Sequence, residues 1–150
     1  MVEDRDALLR HYRQMREALL AAIDGLSDEA MTEPSLDGWS VKHHLTHIAL
    51  WDEIRAAEIA RISAGYDSAW RMVHGHEETY NELGHALRNA LSLEQARWEL
   101  ATTGQRVQDA IASATARGLD GSLYGEAGLR STHEAEHTQW ITRWRGERGY

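Results

Sequence analysis

The sequence predicts an all-α protein, a four-helix bundle with an additional short helix, and three observations predict it. Apolar residues recur at intervals of three and four along most of the 150 residues, no segment keeps an alternation of period two, and good helix-capping residues precede the longest stripes. A chain of this length forms one domain, expected here over residues 1–150, and buries roughly 70% of its unfolded surface.

Residues 3–24 carry Leu8, Tyr12, Met15, Leu19 and Ile23 on one helical stripe, and Gly25 is placed to end it. The stretch up to Trp39 then reads as a long connection, with Ser27, the single proline Pro34 and the turn pair Asp37-Gly38. Connections of about 12 to 15 residues in a compact domain are often functional, so this one is expected to cover a site. Ser40 is a good N-cap for a second helix running to about Ser63, before Gly65. Its apolar residues form a stripe (Val41, Leu45, Ile48, Ala56, Ile59) widened by Trp51, Ile54 and Ile62, which predicts burial on more than one side.

From Tyr66 to His76 the pattern is irregular. Tyr80, Leu83, Leu87 and Leu91 then predict the shorter helix, despite Gly84. Ser92 with Gln95 makes a capping box, and Leu93, Ala96, Leu100, Val107, Ala110, Ile111 and Ala114 carry a long helix to about Ala116. Glycines 118, 121, 125 and 128 mark a loop. A last helix fits Leu129 to about Arg145, with His133, His137, Trp140, Ile141 and Trp144 along one stripe facing the core.

Composition narrows the function. A net charge of -8 with one lysine, Lys42, argues against nucleic acid, whose phosphates demand clustered cations. The arginines at 143, 145 and 148 read as complements to a helix dipole. No apolar run approaches the length of a membrane span, and the acidic start Met1-Val2-Glu3-Asp4 lacks a signal peptide's basic and apolar regions, so a cytoplasmic protein is expected. The absence of cysteine removes disulfides, thiolate ligands and a cysteine nucleophile, and any thiol chemistry must use an external thiol.

Nine histidines remain, and imidazole is the side chain that binds transition metals most readily in a thiol-free chain. His133 and His137 lie four apart, so both rings project to one side of the last helix, one turn apart. Facing the core, such a pair must have its nitrogens satisfied, and a metal ion does so. In the second helix His47 lies on the stripe of Trp51 and Ile54, while His44 lies only partly on that side. His43 is expected to face solvent or a neighbour. His11, His85 and the His74-Gly75-His76 segment are expected in surface or packing roles.

His133-Glu134-Ala135-Glu136-His137 also spells H-E-x-x-H, the zinc-protease pattern. Its extended form is broken at Trp140 and Arg143, and no strand is predicted to hold a peptide. Glu134 is accordingly read as an exposed helical glutamate, with a proton shuttle or a group supporting the metal ligands as the alternative.

These residues resemble the DinB-like superfamily. Asp37-Gly38-Trp39-Ser40-Val41 followed by Leu45, His47, Ile48 and Trp51 looks like the start of that family's second helix, and His133 with His137 looks like the pair on its last helix. Asn81 and Ser92-Leu93-Glu94-Gln95-Ala96 are also similar, so the likeness spans nearly the whole chain. The resemblance implies a four-helix bundle, often a homodimer, with one divalent metal held by His47, His133 and His137. It also implies the activities of members: mycothiol-dependent maleylpyruvate isomerase, S-transferases using bacillithiol or related thiols, and hydrolases of reactive electrophiles. The expectation is a metal-dependent thiol S-transferase acting on small electrophiles, with a low-molecular-weight thiol such as mycothiol or bacillithiol. The alternatives are a metal-dependent hydrolase and a non-catalytic metal-binding or ligand-binding bundle. Three imidazoles suit zinc, while nickel or iron would add waters. Metal binding is expected to weaken as the pH falls through about 6.5, where imidazole ordinarily protonates.

Overall fold

A computed structural model describes residues 1–69, 76–125 and 128–150. The helices are α1 (Arg5–Ile23), α2 (Asp28–Thr32), α3 (Val41–Ser63), α4 (Glu77–Arg88), α5 (Leu93–Ala112) and α6 (His133–Arg148), with a 3₁₀ turn over Gly121–Tyr124. Among the described residues no strand is formed, and no helix is long and apolar enough to cross a membrane. The bundle is made by α1, α3, α5 and α6: α3 lies against α5, α1 against α5 and α6, and α4 leans on α3.

The long helices begin where the sequence supplies a cap. Asp4 accepts the amide of Ala7, Ser40 Oγ accepts that of His43, and Ser92 and Gln95 close the expected capping box. All five expected residues of the α1 stripe are buried. The C-terminal carbonyls of α1 are served from α6, where Arg145 donates to Ala22 and Asp24 at 2.9 and 2.7 Å.

Several local expectations change. The long connection contains α2, which is capped by Ser27 and buries Ala30 and Met31. Five residues are too few for periodicity to reveal. The last helix starts at His133 rather than Leu129, because the preceding segment is bound to α1. Tyr12 Oη donates to the Leu129 carbonyl at 2.5 Å, and a ring nitrogen of His11 meets that of Ser131 at 2.6 Å. The α5 helix ends at Ala112, earlier than expected, and Thr115 turns back onto Ser63.

The α4 helix is oriented against its own apolar pattern. Gly84 is its buried residue, whereas Leu83 and Leu87 are 54% and 67% exposed. Gly84 lies so close to α3 that a β-carbon there would be 2.5 Å from Leu50 Cδ2. Polar pins hold α4 and its end in this pose: Trp51 Nε1 donates to Asn81 Oδ1 at 2.8 Å, and Lys42 to the Leu91 carbonyl at 2.8 Å.

Two apolar clusters form the core. One centres on Leu8, Tyr12, Ile59, Ile62, Val107 and Ile111, the other on Leu19, Met31, Leu45, Ile48, Leu100 and Ile141. Between them in sequence on α1 and on α3 stands a charged residue, Arg16 and Asp52. Arg16 of α1 donates to Asp52 of α3 at 2.5 Å, to Glu134 of α6 at 2.6 Å and to the Leu100 carbonyl of α5 at 2.8 Å. A β-carbon at Gly104 would collide with the guanidinium, so this glycine makes room for it. Glu134 is therefore a buried ion-pair partner, 6% exposed, and not the exposed glutamate expected from sequence.

Removing one partner of a buried ion pair strands the others. Arg16→Leu is predicted to lower unfolding stability by about 3–5 kcal/mol, read from urea denaturation at neutral pH.

Candidate metal centre

Two helix starts build the site. The α3 start is set by the Asp37-Gly38 turn, where both residues take positive φ, 53° and 85°. Leu36 and Trp39 exchange both backbone hydrogen bonds at 3.0 Å across it, the geometry that favours Asp-Gly at the centre. The turn delivers Trp39 onto the first turn of α3. Its indole stacks on His43 at 3.6 Å between centroids, and His43 stacks in turn on His85 of α4 at 3.5 Å. The α6 start is tied by the His133 amide, which donates to Ser131 Oγ at 3.2 Å.

His47 and His137 are buried and His133 is partly so. His133 Nε2 lies 3.0 Å from His47 Nε2 and 3.0 Å from His137 Nε2. A neutral ring nitrogen holds either one proton or one lone pair, so hydrogen bonds cannot satisfy this triangle evenly. A cation facing three lone pairs can. One ligand atom from each of the three histidines falls within 4.8 Å of the others, and among the described residues this is the cluster placed to hold a metal ion. The donor set, three imidazoles without a carboxylate, suits a borderline-soft divalent ion such as zinc.

Electrostatics keep these rings ready to ligate. Burial, reinforced by neighbouring imidazoles, holds His47 down to about 3 and His137 to about 2. Burial and Arg55 hold His133 to about 4. Protons therefore compete for the folded site well below the 6.5 expected from free imidazole. That moves the expected loss of metal binding to lower pH.

The structure brings together the three ligands expected from sequence and adds a fourth histidine. His44 is 3% exposed, and its Nδ1 lies 2.7 Å from His137 Nδ1. Its helical phase relative to His47 was the available signal, since residues three apart share a face. Trp39 also belongs here, 5.3 Å from the His47 ring between centroids. Trp140, expected inward, is 44% exposed and forms part of the cleft wall, while Ile141 and Trp144 are buried as expected. Glu134 points its carboxylate to Arg16, which removes the protease reading of H-E-x-x-H. His76 is exposed at the start of α4, as expected, and His74 and Gly75 lie outside the described residues. The histidines open on a cleft of about 680 Å³, walled by Trp39, Trp140 and Trp144 with Asn81, Arg143 and Glu147.

The buried histidines set a pH dependence. Their folded values lie below the unfolded value of 6.5, so the unfolded chain takes up protons that the folded one refuses. Their contribution is whole above about 6.5 and shrinks as the pH falls toward about 4 and below. Asp52 acts with the opposite sign. Burial, against the pull of Arg16, raises it to about 6, so its contribution is present at acid pH and lost as the pH rises through that value. With several histidines against one aspartate, metal-free protein is predicted to lose unfolding free energy continuously between pH values of about 6.5 and 4, measured by urea denaturation across that window.

Comparison with known proteins agrees with this architecture. Residues 11–141 match the model of the DinB superfamily. No curated protein and no solved structure matches the chain. With all but the ends of its sequence covered by that match, the chain belongs to the DinB superfamily.

Proposed function

We propose that the protein is a metal-dependent enzyme of the thiol S-transferase type, with His47, His133 and His137 as the ligands of one divalent ion. The observation that carries this reading is the convergence of three neutral Nε2 atoms at an open cleft of about 680 Å³, a volume in the range of small-molecule sites. Zinc suits the donor set best, and nickel or iron would bind with added waters. Such an ion supplies Lewis acidity, which lowers the pKa of a thiol or water placed beside it. The chain's own residues hold and shield the site: the rings stay unprotonated through burial, and Trp39 and Trp140 give the cleft apolar walls for a small electrophile.

The external thiol, of the mycothiol or bacillithiol kind, is supported by the cysteine-free sequence and by family membership. Hydrolysis is the less favoured alternative. Glu134, the residue that would serve as base next to the site, is engaged by Arg16, and among the described residues no carboxylate joins the histidine cluster. We extend the proposal to a homodimer, supported by the exposed Leu83 and Leu87 on α4.

Untagged protein is predicted to carry about one divalent ion per chain by elemental analysis. His47→Ala, His133→Ala and His137→Ala should each weaken zinc binding on the order of a hundredfold or more, and Glu134→Gln should leave it intact. In a screen of low-molecular-weight thiols against electrophiles, turnover should require both thiol and metal and vanish on chelation. Turnover without thiol would establish the hydrolase instead, and metal without any turnover a binding bundle. Light scattering is predicted to give twice the chain mass, reduced to the monomer by Leu83→Glu with Leu87→Glu.

A further inference from the structure

His137 meets a histidine at each ring nitrogen. Nε2 faces His133 Nε2 at 3.0 Å, and Nδ1 faces His44 Nδ1 at 2.7 Å. Two neutral nitrogens at the second distance share one proton, so one donates and the other accepts. The choice decides what the site can do. If His44 donates, His137 must keep its own proton on Nε2, where it blocks a cation. If His137 donates from Nδ1, its Nε2 lone pair is free to face His47 and His133.

The second arrangement places the proton of His44 on its own Nε2. That atom is buried and has no hydrogen-bond partner. Its ring lies 4.9 Å from Trp39 and 6.4 Å from Trp140 between centroids, tilted by 58° and 63°. A cation held by the three converging Nε2 atoms therefore requires the tautomer that makes His44 an acceptor toward His137.

We propose that His44 is a positioning residue: its Nδ1 accepts the Nδ1–H of His137 and locks His137 in the tautomer whose Nε2 lone pair faces the other two ligands. The proposal rests on the metal reading of the three histidines. It gives the two inward histidines of the first turns of α3 different tasks, His47 as ligand and His44 as orienter of a ligand on the opposite helix. A carboxylate or carbonyl usually performs this second task, and either would be an acceptor in every protonation state relevant to folding. A histidine performs it only in one tautomer.

The test combines zinc affinity, measured by competition with a chromophoric chelator, and long-range ¹H–¹⁵N spectra of the zinc-loaded wild-type protein. His44→Leu removes the acceptor, and His44→Asn keeps a carbonyl oxygen near the place of Nδ1. The expected result is a loss of zinc affinity of about 10- to 100-fold in His44→Leu, most of it regained in His44→Asn. The spectra should show the proton on Nδ1 of His137 and on Nε2 of His44. Wild-type affinity in a folded His44→Leu, or a zinc-loaded wild type with His44 protonated on Nδ1, would overturn the proposal while leaving the three ligands standing. If His44→Leu does not fold, the wild-type spectrum decides alone. A wild-type protein that takes up no zinc would overturn the metal reading and this proposal together.

Discussion

One guanidinium joins all four helices of the bundle. Arg16 projects from α1 and is answered by Asp52 on α3, Glu134 on α6 and the Leu100 carbonyl on α5. Apolar packing fixes the spacing of helices but tolerates small slides along their axes. A charged fork buried between two carboxylates does not, because a slide would leave a charge without its partner at a cost of several kcal/mol. The interaction therefore sets register more than it adds stability.

That register matters for the histidines. Glu134 lies beside His133 and three residues before His137, and Asp52 lies five residues after His47, so the fork aligns the ligand-bearing turns of α3 and α6. The result is a pair of contacts of 3.0 Å between ring nitrogens drawn from opposite helices and from within α6. Such a cluster is unfavourable to protonate, and burial keeps it neutral. The glutamate that makes the sequence resemble a protease is thus spent on positioning the helix, and among the described residues no carboxylate joins the histidine cluster it adjoins.

Much of this was legible before the structure. The α1 stripe, the Ser40 and Ser92 caps and the i, i+4 histidines follow from helical period and backbone hydrogen-bond needs, which are local. What was hidden depends on partners distant in sequence. Arg16 meets a residue 118 positions away, and nothing near Glu134 announces that it is buried. The α4 pattern misled because Gly84 permits a close approach that leaves Leu83 and Leu87 outside, against the usual sense of an apolar stripe. His44 stood beside the predicted ligand on its helix, but only the position of His137 across the bundle reveals its partner.

Everything proposed for the cleft turns on whether His47, His133 and His137 hold one ion. Anomalous diffraction from crystals of zinc-loaded, untagged protein tests it most directly. One strong peak is expected about 2.0–2.1 Å from all three Nε2 atoms, with Glu134 still on Arg16. A peak elsewhere, or none between α3 and α6, would contradict it.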